Sequence, residues 1–184
     1  MMRISTAYMP PLEWFKAFAP DTAVEIEACE HYQKGGWRNR CLIAGPNGTQ
    51  LLSIPLEKGK HQQTPIRDVR IAYSDNWQLR HWRTIQTAYG NAPFFEYYGD
   101  ELREILVKKE SFLFDYNLKL LHFFLKKLQW KGEVLFSAAY HPLPAPALVP
   151  VQPYPQVFQD RHGFTEGLSV LDGLMCAGKG ILNQ

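Results

Sequence analysis

The sequence predicts an α+β fold: a mixed sheet carrying a β-hairpin, covered mainly on one side by several helices. Three observations predict it. β-branched runs near the start flank a helical stretch, "RCLIAGPNGTQLLSIPL" has the composition of an antiparallel hairpin, and "SFLFDYNLKLLHFFLKKLQW" carries apolar residues at helical spacing. At 184 residues, 46% hydrophobic and 14% aromatic, the chain is expected to form one domain, residues 1–184, around a substantial core.

Residues 3–7 read as a short strand ended by Pro10 and Pro11, after which "LEWFKAF" begins a helix, since proline suits a first helical turn. Pro20 and Asp21 stop it. "TAVEIEA" restores a β-branched pattern, so the opening reads as strand, helix, strand, the pattern of a parallel crossover. In such units ligands gather at the carboxyl ends of the strands, here near Tyr8 and near Glu30. Gly45-Pro46-Asn47-Gly48 closes the hairpin, and "PIRDVRIAY" reads as a further strand. Asp75 with Gln78 three positions on makes a capping-box start for a helix over Trp77 to Tyr89, stopped by Gly90 and Pro93.

After the aromatic "PFFEYYGD", a short helix is expected over Asp100 to Lys108 and a longer one over Ser111 to Trp130, ended by Gly132. Leu113, Leu120, Leu121, Phe124, Leu125 and Leu128 form its core stripe. "GEVLFSAA" is another strand. Residues 141–155 hold six prolines, which remove backbone donors and favour an extended, irregular path. Ser169 with Asp172 caps a closing helix through about Ala177.

A formal charge of +2, from 20 basic and 18 acidic residues, gives no broad attraction for a polyanion, so nucleic acid is not an expected partner. Cys29, Cys41 and Cys176 form no CxxC pair and are odd in number, which fits free thiols in a reducing compartment. No signal-peptide pattern precedes Pro10, and the greasiest segment carries Asp115, Lys119, Lys126 and Lys127, too many charges for a membrane span. The expectation is a soluble cytoplasmic protein. His31, His61, His81, His122, His141 and His162 show no metal-ligand spacing, so no metal is expected, and the sequence leaves any cofactor unknown.

The stretch "YQKGGWRNR" gathers polar and cationic side chains around two glycines. If Gly35-Gly36 closes a two-residue hairpin, Glu30, Tyr32, Lys34 and Asn39 share one face and Arg38 and Arg40 take the other. That first face offers an acid, a phenol, an ammonium and an amide to a polar ligand such as a sugar or phosphate, or simply meets water. The alternative is that the glycines mark a bulge, which rearranges the faces. His81 lies on one face of its helix with Ile85 and Tyr89, either as a general base or as a satisfied buried histidine. Asp115 and Asn117 point about 200° apart, so they do not share a ligand. "GLMCAGKG" nearly spells a phosphate loop, but Gly180 stands where Ser or Thr should hold magnesium and the strand-before, helix-after context is missing. Pairing of Cys29 with His81 as a thiol nucleophile rests on residue types alone.

The ordered segments "TAYMPPLEWF", "EHYQKGGWRNR", the hairpin, "NWQLRHWRTIQTAYGNAPFFEYY", "FLFDYN" and "PYPQVFQDRHGFTEGLSVLDGL" resemble the WbqC-like protein family over most of the chain. Tyr8, Tyr32, Lys34, Arg38, Asn39, Arg40, His81, Tyr89, Asn117, Gln156 and Asp172 match its recurrent polar positions. The resemblance carries over no catalytic residue. It implies a role in O-antigen or surface polysaccharide synthesis, with acyl or aminoacyl (glycine) transfer onto an activated sugar, such as a nucleotide sugar, as the expected reaction. A non-catalytic binding or scaffold role in the same pathway is the other expectation, with exposed "PFFEYY" aromatics as a partner surface unless they are core. The chain departs from longer relatives in having only the proline-rich interval before "YPQ", and in continuing "GLMCAGKG" after Asp172.

Overall fold

The β-branched runs at the start pair side by side: β1 (Met2–Ile4), β2 (Ala23–Ile26) and β5 (Glu133–Phe136) form a parallel sheet with β2 in the centre. This computed structural model describes residues 1–20, 22–58, 63–143 and 148–183. Asp21, His61, Pro144 and Pro146 lie outside the described residues. Met2 pairs with Val24 and Ala23 with Glu133. Parallel neighbours need a crossover, and α1 (Leu12–Phe18) supplies it between β1 and β2 as the sequence predicts. A second sheet is the antiparallel hairpin of β3 (Arg40–Gly45) and β4 (Gly48–Ser53), closed at Pro46-Asn47 with Gly48 at φ 114°. The α+β class therefore holds, with parallel and antiparallel pairings divided between two sheets.

Helices α2 (Trp77–Tyr89), α3 (Phe95–Val107), α4 (Leu113–Lys127), α5 (Gln159–His162) and α6 (Val170–Ala177) complete the fold. An aromatic cluster packs α1 against α4: Phe15, Phe18 and Phe124 are almost wholly buried, Phe15 meets Phe124 edge-on at 6.1 Å and Phe18 meets Trp130 edge-on at 5.7 Å. Ser169 caps α6, its hydroxyl oxygen accepting from the Leu171 amide at 3.1 Å. The described parts of residues 141–155 contain no helix or strand.

Four expectations are corrected. "PIRDVRIAY" is no strand: Ile66–Asp68 coil into a 3₁₀ turn, and single bridges link Pro65 to His31, Ile71 to Leu56 and Arg70 to Phe112. Partners drawn from three segments give no continuous ladder. The capping box at α2 does not form, because Asp75 pairs with Arg80 while the Gln78 amide turns inward to donate to the Leu106 and Lys108 carbonyls at the end of α3. The aromatic stretch belongs to α3, with Gly99, Leu102 and Leu106 on its buried face and Phe95 stacked on Trp82 at 5.8 Å. Tyr97 alone of these rings is largely exposed, at 74%. Finally, α4 ends early, as Gln129 adopts a left-handed φ of 58°.

Candidate functional site

Gly35 and Gly36 do not close a hairpin: the segment from His31 to Asn39 is a loop, and Gly35 at φ 93° is the residue that lets it reverse. Backbone bonds pin the loop at both ends. Tyr32 N donates to Thr64 O and Ile66 N to Glu30 O on one side; Tyr8 N donates to Trp37 O at 2.8 Å on the other. The amide of Asn117, from α4, donates to Arg38 O at 2.7 Å. These ties hold the glycine loop against the carboxyl end of β1.

The expected division of faces is also corrected. Arg38 turns toward Glu30 rather than away: its Nε donates to Glu30 Oε1 at 3.0 Å and its Nη2 bonds Oε2. A buried guanidinium needs such a partner. Burial pushes the Glu30 pKa up, and the arginine opposes that shift. Tyr32 does meet Asn39, its hydroxyl donating to Oδ1 at 3.0 Å, and the Asn39 amide donates onward to Ile54 O. Arg40 is half-buried beside Gly35.

Between the loop and β1 lies a cleft of about 350 Å³, whose polar lining includes Arg3, Ser5, Gln33, Lys34 and Arg38, with Trp14 as an apolar wall. Lys34 has no acidic partner among the described residues. Arg38 spends Nε and Nη2 on Glu30, and its Nη1 lies against Gly36, where an added Cβ would come within 3.2 Å. Behind Ser5 and Trp14, Asn117 borders a small adjoining cavity; its Oδ1 is buried without a hydrogen-bond partner among the described residues. Beyond β2, the Glu27 carboxylate accepts from the Ser137 hydroxyl at 2.6 Å and from the Cys29 and His141 amides. Burial raises its pKa, but those hydrogen bonds outweigh burial and leave it below the ordinary value.

His81 lies elsewhere. It is 3% exposed, edge-on to Trp77 at 5.0 Å, with Nδ1 2.9 Å from the Tyr8 hydroxyl. Burial, reinforced by Arg80, lowers its pKa to about 4, against a hydrogen bond to the Ser53 backbone. Its outer side borders a depression along β4 rather than the glycine-loop cleft. His81 and the loop cations therefore do not share one site. Cys29 donates to the Ser137 carbonyl at 3.6 Å, not to His81.

Tyr89 and Asp172 form a third cluster: the buried carboxylate of Asp172 accepts from the Tyr89 hydroxyl at 2.9 Å and from the Tyr154 hydroxyl at 2.6 Å. Tyr89 also accepts from Ala44 N, so this network knits α2, α6, β3 and the proline-rich segment. Burial raises the Asp172 pKa against those bonds. Gln156 closes a loop by bonding both backbone groups of Thr165. Arg3, Ser5, Trp14 and Gln33 were not singled out in the sequence; Ser5 follows β1 directly, so the strand-end rule points to it once the strand is known to stop at Ile4. Among the described residues, no group of three or more His, Cys, Asp or Glu is placed to hold a metal, and no helix is long and apolar enough to cross a membrane.

The model of the WbqC-like protein family matches residues 6–145. Over 120 residues the chain is 30% identical to the uncharacterized protein Rv1507c of Mycobacterium tuberculosis (strain ATCC 25618 / H37Rv), covering 65% of this chain and 49% of that protein. The chain thus spans about half the length of the curated relative it matches. No solved structure matches it.

Proposed function

From its place in the WbqC-like protein family, to which the chain belongs, we propose that the glycine-loop cleft binds the phosphate-bearing part of an activated sugar, such as a nucleotide sugar. The protein would then act in the cytoplasm in O-antigen or surface polysaccharide synthesis, moving an acyl or aminoacyl group, with glycine among the candidates, onto that sugar. One observation carries the binding step: Lys34 and Arg38 both line a cleft that runs along β1 to Ser5, just past the strand's carboxyl end. Trp14 gives the apolar wall a ring needs. Glu30 holds the Arg38 fork in position without neutralising Lys34.

Thermal-shift screening against nucleotide sugars tests the binding step, because a ligand at about 100 times its Kd stabilises the native state by roughly 2.7 kcal/mol. Lys34→Ala should lower the affinity of any hit about tenfold. Equal affinity in the variant overturns the assignment.

A second reading, binding without turnover, is favoured by the position of His81 outside the cleft. Incubation of the protein with a bound nucleotide sugar and acyl-CoA or aminoacyl donors separates the two. Product formed by the wild type supports transfer; bound ligand with no product supports the binding role.

A further inference from the structure

Among the described residues, β4 is a sheet edge left open over Thr49 and Leu51, while His81 hydrogen-bonds the outward backbone of Ser53. It pairs with β3 on one side only, in the register Ile43 to Gln50 and Cys41 to Leu52. The ladder continues as Ile54 N donates to Asn39 O at 2.8 Å, which identifies these as the hydrogen-bonded pairs. The backbone groups of Thr49 and Leu51 therefore point away from β3, and they meet no partner among the described residues. The matching outward groups of β3 are occupied: Ala44 N donates to the Tyr89 hydroxyl and Leu42 O accepts from Ser169 N.

Protein sheets protect such edges with charge, proline or a bulge. The run "GTQLLS" from Gly48 to Ser53 has none of these, and Leu51 is 55% exposed. Alongside it runs a groove formed by two adjoining depressions, of about 460 and 490 Å³, that share Gln50, Arg80 and Thr84. One wall is the β4 edge; the other is α2, which contributes Arg80, Arg83 and Thr87. Among the described residues, no carboxylate lines the groove. Arg80 already pairs with Asp75, whereas Arg83 has no acidic partner among the described residues.

We propose that this groove is a docking site for an extended acidic peptide of a partner protein, which adds to β4 as a third strand. Its backbone bonds the open groups of Thr49 and Leu51, its apolar side chains lie against Leu51, and its carboxylates face Arg83 and Arg80. Charge selects this occupant over a second copy of the chain, since β4 pairing across a two-fold axis would bring the arginines of both copies together. The site is separate from the glycine-loop cleft and does not depend on its reading.

The test uses the whole chain and a fluorescein-labelled octapeptide pool in which Val, Ile or Leu alternates with Asp or Glu, followed by anisotropy. The acidic pool should bind at least tenfold more tightly than the same pool with Lys in the acidic positions. Arg83→Glu should weaken binding about tenfold, as should Leu51→Pro, which removes an outward N–H and leaves the β3 ladder intact. Methylation of alternate peptide nitrogens repeats that deletion without altering the protein. In hydrogen exchange, the amides of Thr49 and Leu51 should become protected when peptide is added. Absence of binding by the acidic pool, equal binding of the lysine pool, unchanged exchange at Thr49 and Leu51, or a dimer that dissociates on Leu51→Pro would each overturn the proposal.

Discussion

Acidification should unfold this protein partly through His81. The imidazole is 3% exposed, between the rings of Tyr8 and Trp77, and burial together with Arg80 lowers its pKa to about 4. In the unfolded chain a histidine titrates near 6.5. The folded pKa is the lower one, so the native state binds this proton more weakly than the unfolded state. Stability linked to His81 is therefore complete above about pH 6.5 and is lost as pH falls from there toward about 4. A gap of roughly 2.5 units, at about 1.4 kcal/mol each, amounts to ~3 kcal/mol. Urea unfolding of the wild type and His81→Gln, at steps between pH 7.5 and 4, isolates the effect, since glutamine keeps a donor and an acceptor but cannot ionise. Carboxylates contribute alike to both proteins. The wild type should lose ~3 kcal/mol more than the variant across that window, a midpoint difference of roughly 1.5 M urea for an m-value near 2 kcal/mol/M. Parallel stability curves for the two proteins would refute the burial argument.

Two further outcomes concern the glycine loop. Gly35→Ala places a side chain at φ 93° and should destabilise by ~1–3 kcal/mol in chemical denaturation, whereas Gly180→Ala, with open space around it and no positive φ, should be close to neutral. Glu30→Gln leaves the Arg38 guanidinium, 9% exposed, without its counter-charge and should cost ~3–5 kcal/mol; replacing Arg38 with Met in the same chain should recover much of that loss, measured by the same unfolding curves.

Residue spacing carried the elements that local chemistry specifies. The hairpin was legible because Pro46-Asn47 sits between two apolar runs, and α6 because Ser169 can cap its own helix. The α1 crossover was legible for the same reason. "PIRDVRIAY" misled because apolar residues at positions 66, 69 and 71 satisfy a 3₁₀ turn and single bridges as readily as a strand. The capping box at Asp75 and Gln78 misled because Asp75 pairs with Arg80 five residues on and the Gln78 amide bonds carbonyls at the far end of α3.

For the candidate site, the sequence supplied Lys34, Arg38 and the glycine loop, since polar residues clustered around paired glycines are a local signal, and the family resemblance added Asn117. It also marked Tyr89, Asp172 and His81, which the tertiary structure places in two other clusters. The pairing of Glu30 with Arg38, the cleft wall of Ser5 and Trp14, the seclusion of His81 and the open edge of β4 were decided only by folding. Local pattern sets which backbone a segment adopts. Which side chains meet depends on how segments tens of residues apart dock, because each buried polar group takes whichever partner the shared core brings within hydrogen-bond reach.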